Sequence, residues 1–322
     1  MKLAETRRSI SRRMVGMLPL LGEVLPTPPI RIAGFSRRRP ELFLQRGSRA
    51  EGVGLVSQVC RLATLDSPAF RGWLERLGDG WHLHRKNWEH AYICQALHER
   101  GMLEPGRRGL GFAVGVEKLP AFFASLGCTI TATDLAPDDD RSRAWADTGQ
   151  WTTSLDALNT HGLCPADTFR EQVEFRPVDM NCIPDDLRNY DFTWSTCSFE
   201  HCGSLELGLT FLERQLACLR PGGWAVHTTE FNLTSNDDTV SVGPNVIYRL
   251  RDIENFIGRL TAQGHHVEPL DIDAGGSAAD RFVDLPPYPG SAGRARGGIK
   301  HLRLALDGYA STSIGLIIRK SA

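Results

Sequence analysis

Apolar positions fall at helical spacing between residues 55 and 103. Val56, Val59, Cys60, Leu62 and Ala63 are followed by Phe70, Trp73, Leu74 and Leu77, and then by an apolar face running from Trp88 to Leu97. This predicts a helical stretch. From about residue 107 the pattern becomes short apolar runs alternating with helical ones. Gly109-Leu-Gly111-Phe-Ala-Val-Gly115 reads as a strand ending in a glycine turn, and Leu119 to Leu126 as a helix with Pro120 tolerated in its first turn. Gly127 stops that helix, and Cys128-Thr-Ile-Thr-Ala-Thr-Asp134 has the β-branched character of a buried strand. Further strands are predicted at Phe175, Tyr190 and Leu219, an amphipathic helix over Arg249 to Leu260, a sixth strand near His266 and a hairpin-like ending from His301. Such alternation predicts an α/β domain built on a parallel sheet.

The chain divides into a basic, partly irregular leader (1–50), a helical cap or lid (51–104) and the α/β domain (105–322). The leader is read from Pro26, Pro28, Pro29 and a run of arginines opposed only by Glu5 and Glu23 before residue 41. Its apolar run from Met14 is broken by Pro19 and Glu23, which argues against a signal peptide or a membrane span. With 322 residues, 41% hydrophobic content and a net charge of −1, the chain suits one large domain with an appendage, not a nucleic-acid binder driven by overall charge. Its 8 cysteines form no C-x-x-C pair, which points to reduced thiols and a cytoplasmic location.

Candidate chemistry begins at the glycine turn. Glycines let the backbone approach a ligand, and an acidic residue ending the next strand can accept hydrogen bonds from two ribose hydroxyls. Asp134 lies 19 residues past Gly115, the spacing expected of such an acid. A nucleoside-containing cofactor follows. A nicotinamide cofactor competes, but its turn more commonly reads G-x-G-x-x-G, unlike Gly109, Gly111 and Gly115 here. Between 81 and 92 the segment Trp81-His-Leu-His-Arg85-Lys86-Asn-Trp88-Glu-His-Ala-Tyr92 reads either as a lid, with Trp88 over the cofactor and Arg85 or Lys86 on a carboxylate, or as an amphipathic helix with core tryptophans. Asp138-Asp-Asp140 reads as a solvated turn or helix start.

Three later segments resemble, in order, motifs of class I S-adenosylmethionine-dependent methyltransferases: Phe175-Arg-Pro-Val-Asp179-Met180-Asn, Tyr190-Asp-Phe-Thr-Trp-Ser-Thr-Cys-Ser198-Phe-Glu200-His201, and Leu219-Arg-Pro-Gly-Gly-Trp-Ala-Val-His227. The resemblance covers about residues 105 to 232. It implies a Rossmann-like fold, a mostly parallel seven-stranded sheet with helices on both faces, here with a helical N-terminal cap. It also implies S-adenosylmethionine as cofactor. Gly109, Gly111, Ala113 and Gly115 take the glycine-loop places, Asp134 the ribose, Asp179 and Met180 the adenine, and Ser198 joins this set. Ala113 stands where a glycine is usual, and Gly109 where many members carry an acid. Pro221-Gly-Gly223 looks like the turn before the fifth strand.

Methyl transfer needs alignment, exclusion of water and, for a hydroxyl acceptor, a base. The bases expected at the carboxyl ends of the fourth and fifth strands are His201, then Glu230, then Glu200, with His227 a core histidine. The side-chain types at His201, Glu230 and Asp237 or Asp238 would suit a divalent ion, though no metal ligand is assigned. The expected acceptor is a hydroxyl of a small polar molecule such as a sugar or glycoside. An RNA- or protein-directed methyltransferase and a non-catalytic cofactor-binding protein are the alternatives.

Overall fold

The computed structural model describes residues 54–142, 150–152, 154–286, 288 and 300–322, so the expected leader lies outside the described residues. In chain order the elements are β1 (Ser57–Val59), α1 (Leu62–Leu65), α2 (Pro68–Arg76), α3 (Arg85–Glu99), β2 (Arg108–Gly111), α4 (Leu119–Ser125) and β3 (Thr129–Asp134). They continue as α5 (Ala166–Gln172), β4 (Val173–Pro177), β5 (Tyr190–Thr196), α6 (Leu205–Gln215), β6 (Leu219–Asn232), α7 (Leu250–Ala262), β7 (His266–Val267), β8 (Leu270–Asp271), β9 (Leu304–Leu306) and β10 (Tyr309–Arg319).

One sheet runs β4-β3-β2-β5-β6-β10-β1-β8, and both β7 and β9 also pair with β10. From β4 to β6 all neighbours are parallel, and β10 lies antiparallel to β6. The chain winds outward from β2 through β3 to β4 and then returns to β2's other side with β5. That reversal makes a crevice at the carboxyl ends of β2 and β5, where open α/β sheets bind ligands. The Rossmann-like arrangement is therefore present.

Three differences from expectation have physical reasons. The sheet has 10 strands rather than seven, because β1 and β9 add short pieces beside β10 and β8 adds one beside β1. Residues 57–59, expected to be helical, form β1 against β10, where all three are buried. The lid and cap region is thus built into the α/β core. Pro221-Gly-Gly223 does not precede the fifth strand but lies within β6, at a register shift that pairs Tyr190 with Leu219 and then Phe192 with Trp224.

Alternating side chains of the strands feed two apolar layers, as period-2 geometry requires. Phe192, Trp194, Val226 and Ile317 pack with α3, α4 and Phe169 of α5 on one face. Leu110, Ala225, Leu316 and Ile318 pack with α6 and α7 on the other. Helix α7 shows the simplest amphipathic logic, burying Ile253, Phe256 and Leu260 at helical spacing. By contrast α3 is buried nearly all round, because it lies between α2 and the sheet; Trp88 stacks on Tyr92 with centroids 4.7 Å apart. Trp88 is therefore a core residue, the second of the two readings of its segment. The β9–β10 hairpin turns at Asp307 and Gly308, with φ of 46° and 87°, the left-handed pair that an Asp-Gly turn supplies.

Among the described residues no helix is long and apolar enough to cross a membrane. All 8 cysteines are unpaired, and only Cys182 is exposed.

Candidate functional site

The site grows from the end of β2. After Gly111 the chain turns through Ala113 and Gly115, both in the left-handed region with φ of 48° and 54°. Gly115 is required there, because a Cβ would also meet the Gln150 carbonyl oxygen at 2.1 Å. Ala113 holds the same conformation at a steric cost of about 1 kcal/mol. The turn is pinned to the end of β3: Gly115 N–H donates to Asp134 Oδ2 at 2.9 Å, and Leu135 N–H donates to Asp134 Oδ1 at 2.8 Å. Burial pushes the Asp134 carboxyl up to about 6, since loss of water outweighs those two donors, and neighbouring Glu117 adds to the rise.

Glu117 is a site residue that the sequence reading missed. It accepts a hydrogen bond from Trp194 Nε1 at 2.8 Å, and burial likewise raises its carboxyl. Two carboxylates thus flank the glycine turn. Helix α4 begins only at Leu119, after Glu117 and Lys118, so no helix N-terminus opens directly from the turn.

The other expected cofactor residues surround this turn less closely. Ser198, just past β5, donates from Oγ to Thr196 O at 3.1 Å and reaches Ala113 O at 3.5 Å. Asp179, past β4, accepts from Arg141 Nη2 at 2.7 Å and from Asn181 N–H at 2.9 Å; Met180 packs against the α6–α7 layer. Asp139, in the expected acidic turn, pairs with the same Arg141. Gly109 and Gly111 serve packing: a Cβ on Gly109 would lie 2.3 Å from the Phe192 ring, and one on Gly111 would lie 2.4 Å from Trp194. Gly111→Ala should accordingly destabilise the fold by about 1–3 kcal/mol, read as a lower urea midpoint. An unchanged midpoint would show that Trp194 moves aside freely.

A second group of polar residues lies across the ends of β5, β6 and β10. Arg85, the first residue of α3, forms an ion pair with Glu230 of β6, whose other oxygen accepts from Ser311 Oγ at 2.5 Å. Lys86 pairs with Glu89 at 2.9 Å, and Glu89 accepts from Ser313 Oγ and from Cys197 Sγ. The carboxylates that Arg85 and Lys86 meet are thus the protein's own Glu230 and Glu89.

Glu200 accepts from Thr229 Oγ1 at 2.8 Å, and burial, then Glu230, push its carboxyl up towards the protonated form. His201 donates from Nδ1 to Pro244 O at 2.7 Å, and burial lowers it to about 4, leaving it neutral. The nearest carboxylate to it is Glu200, at 3.8 Å. His227 bonds to Ser195 Oγ at 2.8 Å between the Phe199 and Phe211 rings, and burial pushes it down to about 3. Among the described residues no group of three His, Cys, Asp or Glu side chains could hold a metal ion.

No family model matches the chain, and no curated relative does. Solved structures similar to it include a magnesium protoporphyrin IX methyltransferase from Synechocystis PCC 6803 with bound S-adenosylhomocysteine, at 13% identity and TM-score 0.41, covering 80% of this chain and 97% of that one. A S-adenosylmethionine-dependent methyltransferase from Aquifex aeolicus shares 16% identity at TM-score 0.37, covering 80% of this chain and 95% of that one. The cyclase SpnF shares 15% identity at TM-score 0.44, covering 84% of this chain and 100% of that one.

Proposed function

We propose that the chain is a class I S-adenosylmethionine-dependent methyltransferase that methylates a hydroxyl of a small polar acceptor, a sugar or glycoside. The observation that carries this reading is the pair of carboxylates, buried Asp134 and half-buried Glu117, at the glycine turn. S-adenosylmethionine bears a sulfonium and an ammonium and no phosphate, so a carboxylate-lined turn suits it. A dinucleotide would bring its diphosphate to this same turn and would need a helix N-terminus there, not two acids.

In this reading Asp134 receives the ribose hydroxyls on the lone pairs that Gly115 and Leu135 leave over. Glu117 faces the cationic end of the cofactor, and Asp179, Met180 and Ser198 border the adenine side. The bound cofactor supplies an electrophilic methyl group. The protein aligns the acceptor, keeps water out and removes a proton.

The polar groups at the ends of β5 and β6 support a neutral, hydroxylated acceptor. Arg85 is matched by Glu230, Lys86 by Glu89, and burial raises the Glu200 carboxyl towards its neutral, hydrogen-bond-donating form. Neutral His201 sits alongside as a further polar wall. This group therefore presents hydrogen-bonding side chains with their charges already balanced.

Calorimetric titration of the full chain with S-adenosylmethionine, S-adenosylhomocysteine and NAD tests the cofactor. Micromolar binding of the first two without the third is expected, and binding of NAD alone would overturn the reading. A glycoside panel then tests the acceptor by formation of S-adenosylhomocysteine.

A further inference from the structure

The methyl-transfer reading needs a base, and the three residues expected from the sequence are all committed elsewhere. His201 is held on Pro244 O and lowered by burial to about 4, which makes it a weak base; Glu230 is paired with Arg85, and Glu200 is held by Thr229 with its carboxyl raised by burial. A different pair of side chains lies beside them. His301 Nδ1 is 2.6 Å from Asp284 Oδ2, on the segment that connects β8 to β9.

This pair is built into the site by backbone bonds. His301 N–H donates to Leu83 O at 2.6 Å, and Arg85 N–H donates to His301 O at 3.1 Å. Arg85 therefore joins His301 through its main chain to Glu230 through its guanidinium. The next residue, Leu302, accepts at its carbonyl from Thr312 Oγ1 at 2.6 Å, and Thr312 is the register partner of Phe231, one residue past Glu230. The carboxyl end of β6 and the His301 pair thus share one neighbourhood.

The ring plane of His301 is set on two sides. His84 stacks on it with centroids 4.7 Å apart and planes 27° from parallel, and Tyr288 meets it edge-on at 5.2 Å and 81°. The Tyr288 hydroxyl is held by Ala305 O. His84 Nδ1 accepts from Lys86 N–H at 3.1 Å as the cap of α3, which requires that nitrogen to be unprotonated. The stacked neighbour therefore leaves room for positive charge on His301.

With Asp284 ionised, the 2.6 Å contact places a hydrogen on His301 Nδ1, and in the neutral imidazole Nε2 is then the acceptor. Among the described residues no hydrogen bond is made to Nε2, and the side chain remains 12% exposed. An oriented imidazole with one nitrogen held by a carboxylate and the other open is the arrangement a general base needs.

Resting on the methyl-transfer reading above, we propose that His301, oriented by Asp284, is the general base that deprotonates the acceptor hydroxyl. His301 Nε2 takes the hydroxyl proton as the acceptor oxygen forms its bond to the methyl carbon. The electron pair of the broken sulfur–methyl bond stays on sulfur, so the sulfonium becomes a neutral thioether. The positive charge then resides on the imidazolium beside the Asp284 carboxylate until the proton passes to water. His301 is the catalytic residue and Asp284 the positioning residue.

Full-length wild type, His301→Gln and Asp284→Asn are compared in three measurements. Calorimetry with S-adenosylhomocysteine should give the same affinity in all three; no binding in the wild type would overturn the methyltransferase reading itself. Long-range proton–nitrogen correlation spectra of the cofactor-free protein, with the His301 signals assigned by their loss in His301→Gln, should show a neutral ring protonated at Nδ1. In Asp284→Asn that ring should shift to predominantly Nε2 protonation. A wild-type ring already protonated at Nε2 would overturn the dyad whether or not the cofactor binds.

Turnover on the glycoside panel should fall by roughly 10²- to 10⁴-fold in His301→Gln, with unchanged affinity for S-adenosylhomocysteine. Wild-type turnover in that variant would also overturn the proposal. If no glycoside turns over even in wild type, the acceptor assignment fails, and the tautomer measurement alone decides the dyad.

Discussion

Asp134→Ala is expected to weaken S-adenosylhomocysteine binding by about a hundredfold or more, with an affinity in the wild type that falls as the solution is acidified through pH 6. The size follows from two charge-assisted hydrogen bonds to ribose hydroxyls, at about 1.5–3 kcal/mol each, where about 1.4 kcal/mol is tenfold in affinity. The pH dependence follows from burial, which raises Asp134 from 3.8 to about 6 in the free protein. If the cofactor needs the carboxylate, affinity is flat above about pH 7 and drops tenfold per unit well below pH 6.

The same shift has a consequence for stability. An acid with a folded-state value above its unfolded one is costly to keep ionised. That cost is absent below about 3.8, grows as pH rises towards about 6, and is full above it, at roughly 3 kcal/mol. The free protein therefore gives up stability above pH 6 by keeping this buried carboxylate ionised. Calorimetry of wild type between pH 5 and 8, beside Asp134→Ala at pH 8, checks both statements. An affinity indifferent to pH and to the substitution would remove Asp134 from the site.

The β2–α4–β3 unit was legible in the sequence because everything that defines it is local. The glycine turn, the Leu119–Ser125 helix and the β-branched strand to Asp134 all fall within one short stretch. The short strand β1 was not legible as a sheet piece, since three residues carry no period and its pairing is decided by β10, far away in the chain, whereas β7 and β8 fall in the segment read as a sixth strand. The glycines of β2 were visible, but not their reason: Phe192 and Trp194 demand the space at 109 and 111 from another strand.

Within the site, single residues without a pattern were the ones overlooked. Glu117 is an isolated acid whose meaning comes from Trp194 above it and Asp134 beside it. Asp284 and His301 sit at the two ends of a proline- and glycine-rich connection, and only the fold brings them to 2.6 Å. His201 illustrates the converse. Its sequence position singled it out, but the Pro244 carbonyl and its burial determine its protonation.

The largest effect on stability is expected at Glu89, which is 0% exposed and sits where α3 meets the sheet. Desolvation alone would raise its carboxyl. Lys86 and Arg85, with hydrogen bonds from Ser313 and Cys197, outweigh that and hold it at about 2, below its ordinary 4.5. A depressed acid contributes stability that is fully present above 4.5 and lost as pH falls towards 2, here about 3 kcal/mol in size. Glu89→Ala removes this contribution at neutral pH. It also leaves Arg85 with Glu230 as its one remaining carboxylate partner and strips Ser313 Oγ and Cys197 Sγ of their acceptor.

Breaking a fully buried pair in this way costs about 3–5 kcal/mol, but the Lys86 side chain keeps 37% of its surface in water, which screens its ammonium. A loss near 3 kcal/mol is therefore expected in urea unfolding at pH 7, shrinking as the pH is lowered towards 3. Glu89→Gln separates charge from hydrogen bonding, because its amide oxygen can still accept from Ser313 and Cys197. Combining it with Lys86→Met removes both charges and should recover part of the loss, since the desolvation cost of the pair disappears with it. Equal midpoints for wild type and Glu89→Ala at pH 7 would mean that α3 docks on the sheet by its apolar face alone, through Trp88, Tyr92 and Ile93, and that Arg85 and Lys86 reach the site without electrostatic anchoring.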